Sequence, residues 1–445
     1  MTQSITAAFP ALARLHAAAK QDSQLRFNNL LHPITEALLE RAYRALNRKA
    51  ATGVDEVDWR SYGEQLALNL NDLCHRLHGN RYRPQPVKRV WVPKDNGEQR
   101  PIGITSLEDK IVQQALVWVL ESIYEHDFLG FSYGFRPNRN QHGALDAVYM
   151  AITAKKVSWV LDADIQGFFD HINHDWMMKF LNHRISDPRL LRLIKLTLTA
   201  GVVDQGCQSK TVVGTPQGAV VSPLLGNIYL HYALDLWVDQ WRHRHARGEA
   251  YVVRYADDSV FGFQYRSDGE RFLQALGDRL AHFNLQLNMS KTHLIEFGRF
   301  AEASRAERGL GKPLTFDFLG FTHICSRRQS DHRFSLRRIT IAKRQRRTLS
   351  TIKVMLMKSY HERPFIVGGR LKVILQGYFN YYAVPGNQTL LDRFRTAVGR
   401  MWIKAMRRRS QRGKAVPWRR FERLIAMFLP RARIVHPYPN QRLRV

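Results

Sequence analysis

Tyr251-Val252-Val253-Arg254-Tyr255-Ala256-Asp257-Asp258-Ser259-Val260-Phe261-Gly262-Phe263 decides how this chain is read. Two apolar runs, each long enough for a strand, flank a pair of adjacent carboxylates. In a half-buried β context such neighbours repel each other and lose hydration, a cost tolerated when the ions are paired or hold a metal. The plainer alternative is a hairpin whose tip is Asp-Asp, since Asp is common in turns.

Upstream, Trp159-Val160-Leu161-Asp162-Ala163-Asp164-Ile165-Gln166-Gly167-Phe168-Phe169-Asp170 reads as a strand that runs into a turn, with a helix beginning near His174 or Asp175. Asp164 ends that strand. Set beside a hairpin carrying Asp257 and Asp258, Asp164 would supply the third of three candidate catalytic carboxylates from two neighbouring strands, with the Ile165 carbonyl as an additional oxygen ligand. A hard, oxygen-rich set that needs no Cys or His suits Mg²⁺ rather than zinc, with Mn²⁺ as a substitute. Two ions held roughly 3.5–4 Å apart would activate a primer 3′-hydroxyl and stabilise a leaving pyrophosphate in an in-line displacement. Asp162, two residues from Asp164 on the same strand face, and Asp170 compete locally, and the sequence leaves open whether Asp162 assists.

Further motifs line up around these two. In order they are Arg100-Pro101-Ile102-Gly103-Ile104 with Asp109-Lys110-Ile111-Val112-Gln113-Gln114-Ala115, then Ser132-Tyr133-Gly134-Phe135-Arg136-Pro137, then the Asp164 block. Gly214-Thr215-Pro216-Gln217-Gly218 through Ser222-Pro223-Leu224-Leu225 follows, then the Tyr255 to Asp258 motif, Leu287-Asn288 with Lys291-Thr292, and Phe316-Asp317-Phe318-Leu319-Gly320-Phe321. Each is weak alone, but as an ordered series covering nearly the whole chain they resemble the bacterial group II intron-encoded reverse transcriptase/maturases. Retrons and diversity-generating elements share the Asp-Asp core. The Gly-Thr-Pro-Gln-Gly run and the C-terminal region are similar to the intron-encoded branch.

The resemblance implies an α+β right-hand polymerase, with fingers and an antiparallel palm sheet, followed by an all-α basic thumb/maturase domain. Its divisions are expected at 1–86 (N-terminal extension and start of the fingers), 87–325 (fingers and palm) and 326–445 (thumb and maturase, or X, domain). It also implies roles for single residues. Lys94 and Arg100 flank a hairpin tip that would fold over an incoming dNTP triphosphate, where Arg can bind bidentately. Phe169, five residues after Asp164, matches the bulky position that excludes ribonucleotides. Gln217 matches a nucleotide-contacting glutamine, and Lys291 a lysine near the nucleotide and template backbone. An exposed basic hairpin, a core aromatic, a plain Pro-Gln turn and a solvated lysine are the ordinary readings of these residues.

Composition points the same way. The chain has 445 residues, 44% of them hydrophobic, enough for two or three domains with real cores. Cys74, Cys207 and Cys325 lie far apart, which argues against a disulfide framework and a structural zinc and fits a reducing cytoplasm; the resemblance implies a bacterial one, near the nucleoid when acting on DNA. Residues 1–19 contain neither a signal-peptide core nor a membrane-spanning apolar run, so no membrane association is expected. From Phe321 onward the chain carries 30 of its 68 Lys and Arg but 4 of its 38 Asp and Glu, and so +26 of the +30 net charge. So basic a segment repels itself unless its partner is a polyanion, and phosphate neutralisation with counterion release is the usual reason for it.

Along the chain, residues 28–50 show helical spacing at Leu30, Ile34, Leu38, Ala42 and Leu46, and Val87–Val92 alternates as a half-buried strand. Ser222 suits an N-cap with Pro223 as the first helical residue. A helix over Phe272–Phe283 and a short Leu285–Leu287 strand precede Lys291. Beyond Phe321, strands are expected to give way to helices. Ile341–Met357 has the pattern of a helix laid along a duplex, with Arg344, Arg347 and Lys353 as RNA/DNA contacts together with Arg407, Arg408 and Arg409 further on. Tyr381, Tyr382, Trp402 and Trp418 are either core or platforms for RNA bases. No His- and Cys-rich endonuclease region follows, so no separate DNA-cleaving module is expected.

The expected activity is RNA-directed DNA polymerisation joined to binding of the group II intron RNA and assistance of its splicing. The partners are intron RNA, a DNA target or primer strand and dNTPs, with one or two protein copies in the ribonucleoprotein. A non-catalytic splicing cofactor and a domesticated enzyme of defence or repair are the competing functions; retention of all three acids disfavours the first.

Overall fold

The computed structural model describes residues 8–93, 99–209, 211–328, 331–408 and 418–442. Strands among them are numbered in chain order: β1 Val87–Pro93, β2 Gln99–Ile104, β3 Trp159–Ala163, β4 Val202–Asp204, β5 Cys207–Ser209, β6 Ala250–Tyr255, β7 Asp258–Phe263, β8 His293–Glu296, β9 Phe316–Phe318, β10 Phe321–Arg327 and β11 Phe334–Thr340. They form three sheets, ordered β2-β1-β4-β5, β6-β7-β3-β8 and β11-β10-β9.

The antiparallel β6-β7-β3-β8 sheet organises the molecule because both of its faces are apolar, as strand alternation requires when both are covered. Leu161, Ala163, Val252, Phe261 and Phe263 point into one core, with the N-terminal helices and the helices Leu107–Tyr124 and Ser222–Leu230. Val160, Val253, Val260 and Ile295 point into a second core, shared with the helices Gln141–Ala154, Ala342–Lys358, Pro364–Tyr382 and Gln388–Arg407. Each fully buried Val, Leu or Phe contributes roughly 1.5–3 kcal/mol, so the C-terminal helices are held to the sheet by packing. Tyr382 and Trp402 are buried in this second core, and Tyr381 is half-buried with its hydroxyl donating to the Leu319 carbonyl at 2.7 Å. These aromatics are therefore core residues. The Trp418 side chain lies outside what the structure describes.

Several motif residues prove to be braces. Asp109 is buried and accepts hydrogen bonds from Tyr82, from Ser106 (2.7 Å) and from the Gln85 amide (3.1 Å). Gln113 accepts from the Val220 amide at 2.9 Å, tying the loop after Gly218 to the Leu107–Tyr124 helix. The Arg136 guanidinium is buried, paired with Glu125 at 2.7 Å and donating to the carbonyls of Leu129 and Ser132.

Four expectations are corrected. The helical spacing over residues 28–50 is realised only as Glu36–Ala45, a second helix after Pro10–Gln21, because the Thr35 hydroxyl caps its start by accepting from the Leu38 amide. Leu285–Leu287 contributes a single bridge, Leu287 to Ile165, and the strand on that side of β3 is β8. Ser222 is the first helical residue and Val221 the cap; the Ser222 hydroxyl is engaged with Thr215 (2.6 Å) and the Pro216 carbonyl (3.0 Å). Strands continue past Phe321, since β10 and β11 pair in register from Phe321↔Thr340 to Arg327↔Phe334, so residues 326–445 are not wholly helical and position 325/326 lies within β10. Among the described residues no helix is long and apolar enough to cross a membrane.

Two imidazoles are buried without charge. His323 stacks on Phe316 (4.6 Å), and burial, helped by Arg338, pushes its pKa down to about 3. Burial likewise pushes His231 down to about 4. The unfolded chain takes up these protons near pH 6.5 and the folded chain does not, so stability is retained above about 6.5 and lost as pH falls toward 3. Thermal unfolding followed by circular dichroism should show the midpoint dropping between pH 7 and pH 4.5, and His323→Leu should make that drop shallower.

Candidate active site

The tip of the β6–β7 hairpin is a two-residue turn, with Tyr255 paired to Asp258 and Ala256-Asp257 between them. Ala256 has φ of 57°, a left-handed conformation that a residue with a Cβ rarely adopts, so the surroundings must hold it there. A buried polar network does so. Arg254, fully buried in an otherwise apolar strand, donates to Asp235 from Nε (2.7 Å) and Nη2 (2.5 Å), to the Ser132 hydroxyl (2.7 Å), to Asn227 (3.1 Å) and to the Ala256 carbonyl (2.8 Å). Asn227 in turn donates to the Gly134 carbonyl at 2.7 Å. Gly134 sits flat on the turn, where a Cβ would lie 2.3 Å from the Ala256 nitrogen, so the Ser-Tyr-Gly motif is a seat for the hairpin tip. Asp235 closes a short π-helical segment, His231–Asp235, inserted between the helices Ser222–Leu230 and Leu236–Arg244.

Asp164 immediately follows β3, whose last pair is Ala163↔Ser259, so the register continues to set Asp164 across from Asp258. Its carbonyl accepts from the Asn288 amide while the Gln166 amide donates to the Gln286 carbonyl. The Ile165–Leu287 bridge is thus made by the backbone bonds of the neighbours of Ile165, Asp164 and Gln166. Asp162 and Asp164 share the strand face of Asp258 and Val260, beside a cavity of about 860 Å³ whose walls also include Lys291, Thr292 and Asp317.

Electrostatically the acids are one group. Desolvation, with Asp257 and Asp164 as repelling neighbours, pushes Asp258 up to about 6, against the pull of Arg344 and Lys291. Desolvation and Asp164 raise Asp257, opposed by Arg100 and Arg254. Burial, then Asp258, Asp164 and Asp317, push Asp162 up to about 7. Asp164 has a cation beside it, Lys291 Nζ at 2.9 Å from Oδ2, an oxygen that also accepts from Asn288 Nδ2 at 3.1 Å. Among the described residues no three His, Cys, Asp or Glu side chains stand close enough together to cage an ion as placed. The donors nevertheless fit a hard divalent cation in kind: oxygen-only, mutually repelling and under-compensated.

The other expected contacts divide. Arg100 is exposed on β2 and acts on Asp257, while Lys94 lies outside the described residues. Phe169 is half-buried against Phe168 (5.0 Å between rings), and its carbonyl accepts from the Thr215 amide, which brings it together with the Gly214–Gly218 loop. In that loop the Gln217 amide lies 3.3 Å from Asp170, and Gly218 (φ 115°) leaves no room for a Cβ, which would meet the Gly103 carbonyl at 2.7 Å. Arg344 acts on Asp258 and packs by Gly320. Arg347 and Lys353 are exposed on the same helix, but Lys353 stands nine residues and half a turn from Arg344, on the opposite flank of the buried stripe Ile352–Leu356. Arg407 lies over the Phe421 ring (5.5 Å), Arg408 meets Met357, and Arg409 falls outside the described residues.

A family model described as "Reverse transcriptase (RNA-dependent DNA polymerase)" matches residues 92–323, a little over half of the chain. Protein YkfC of Escherichia coli is 36% identical over 63% of this chain and 83% of its own length. The group II intron-encoded protein LtrA of Lactococcus lactis is 39% identical over 40% of this chain and 29% of its own length. A 91 kDa protein in the cob intron of Schizosaccharomyces pombe is 39% identical over 38% and 21%. The chain thus spans most of YkfC but under a third of the two intron-associated relatives. It belongs to the reverse transcriptase family, the RNA-directed DNA polymerases, and within it to the group II intron reverse transcriptase/maturases.

The Arg254–Asp235 network is the part of the site that motif reading missed. Its signal was present: an arginine in an apolar strand raises the same burial cost that singled out Asp257 and Asp258. Removing either charge leaves the other buried and unpaired, at a cost of about 3–5 kcal/mol. Asp235→Leu and Arg254→Met should each lower the thermal midpoint strongly. The double variant should recover most of the stability but not primer extension on RNA, because the Ala256 carbonyl has still lost its donor; calorimetry and an extension assay read the two effects separately.

Proposed function

We propose that Asp164, Asp257 and Asp258 are the catalytic carboxylates of a right-hand polymerase palm, which the β6-β7-β3-β8 sheet would form, and that the chain copies group II intron RNA into cDNA. The observation that carries this reading is the mutual repulsion of these acids at the strand ends, beside a cavity open to substrate. With the Ile165 carbonyl they would hold two Mg²⁺ ions, or Mn²⁺, which supply activation of the primer hydroxyl and stabilisation of the leaving pyrophosphate. The chain's own residues do the remaining work. Arg100 and Lys94 would clamp the triphosphate, Phe169 would exclude a ribose hydroxyl, Gln217 would orient the sugar and base, and Lys291 would exchange Asp164 for the nucleotide.

The divisions proposed are 1–86, 87–325 and 326–445, the last acting as thumb and maturase surface. Arg344, Arg347, Lys353 and Arg407–Arg409 would contact the RNA whose splicing the protein assists, and cDNA synthesis would be primed at the DNA target during intron mobility. This assigns the protein to the bacterial cytoplasm, with intron RNA, target DNA and dNTPs as partners. The names of LtrA and the cob intron protein support the intron context. Intact acids favour catalysis over a purely RNA-binding role.

Asp257→Asn should retain its fold and lose Mg²⁺-dependent primer extension on RNA by roughly 10²-fold or more, the loss of several kcal/mol of transition-state stabilisation. Extension equal to wild type would sink the site assignment. RNA affinity measured by filter binding should fall by about 10³-fold or more between roughly 50 and 200 mM salt, as release of counterions from six or more phosphates demands. A flat response would remove the electrostatic basis for RNA binding.

A further inference from the structure

A second cavity, of about 680 Å³, opens between the β10–β11 hairpin and the start of the Gln388–Arg407 helix. Arg327, Arg328 and Arg337 line it together with Ser326, Ser335 and Tyr438. Every wall residue except Gly386 carries a side-chain N–H or O–H donor, and none is Asp or Glu. The register explains the convergence. Ser326 and Ser335 are directly paired and share a face, which Arg337, two residues along β11, also occupies. Arg337 is aimed by its Nε, which donates to the Gly386 carbonyl at 3.1 Å, leaving the other guanidinium nitrogens free of that bond.

Two carboxylates lie near. Glu302 pairs with Arg327 at 3.1 Å, and Asp331 stands 3.8 Å from Arg328, both pairs largely exposed and so worth little. Neither lines the cavity, which therefore keeps a net positive wall made of donors. In the three-stranded sheet β9 walls the acidic cleft of the active site, while β11 forms the opposite edge and carries Arg337 and Ser335. The two cavities are separate and opposite in charge.

We propose that this cavity is a binding site for the phosphodiester backbone of structured RNA, distinct from the track that holds template and primer. Guanidinium groups bind phosphate oxygens bidentately and serine and tyrosine hydroxyls complete the contact. A cavity of this size admits a stretch of backbone rather than one anion, and it lies in the segment holding +26 of the net charge. The assignment rests on the reading that the C-terminal region binds the chain's RNA, and it locates that contact.

The test uses the full chain, bulk transfer RNA as a structured probe, and primer extension on poly(rA)·oligo(dT). Arg328→Gln/Arg337→Gln should weaken transfer RNA binding by about tenfold and flatten its salt dependence by about one to two units of slope, while extension stays within about twofold. Arg337→Lys should restore part of the affinity. Should loss of the Gly386 contact unfold the double variant, Arg327→Gln/Arg328→Gln, which alters only exposed pairs, poses the same question. Unchanged RNA affinity in a folded variant overturns the site. So does an equal loss of extension, which would assign the arginines to template and primer. So, too, does protection of the wild type by millimolar inorganic phosphate without any effect of the variants on RNA, which marks a small-anion pocket. A wild-type chain that binds transfer RNA but extends no primer counts against the polymerase reading alone.

Discussion

The buried ion pair between Arg254 and Asp235 is the constraint on which the geometry of the Asp257-Asp258 turn depends. Burying two charges is costly, and replacement by apolar residues is often neutral or better for stability, so such a pair is poor evidence of a stability role. Here it supplies position. Its guanidinium spends its remaining donors on Ser132, Asn227 and the Ala256 carbonyl, and so fixes the one residue of the hairpin tip whose backbone is strained. With the turn clamped, Asp257 and Asp258 stay adjacent at the hairpin tip, where desolvation and then Asp257 push Asp258 up to about 6.

That repulsion is answered unevenly. Asp164 has an ammonium and an amide on one oxygen, whereas Asp258 has only the more distant Arg344 and Lys291. Availability of Asp164 is thus tied to the loop carrying Asn288 and Lys291, which itself hangs on backbone bonds to Asp164 and Gln166.

Much of this was legible in the sequence because it rested on cost. Two adjacent acids between apolar runs announced the hairpin, and the run from Trp159 ended by Asp164 announced a strand beside it. What escaped detection depended on pairing across long separations. Arg254 and Asp235 look like isolated charges until a π-helical segment turns one toward the other. β8 was hidden because His293–Glu296 is only four residues long, and β10 and β11 because helices were expected from Phe321 onward. Ser222 has the composition of a cap, but the cap's hydroxyl had a better partner in Thr215.

The two cores explain why a basic C-terminal region need not be an appendage. Val160, Val260 and Ile295, on the sheet face that also bears Asp162, Asp164 and Asp258, pack in one core with Leu371, Leu375, Phe394 and Trp402. A load applied to the C-terminal helices is therefore borne by the face that carries the carboxylates. Close-packed interiors transmit such loads because they cannot deform continuously. The basic surface and the acidic cleft are then two sides of one packed unit, with β10 between β9 and β11 as the shared element.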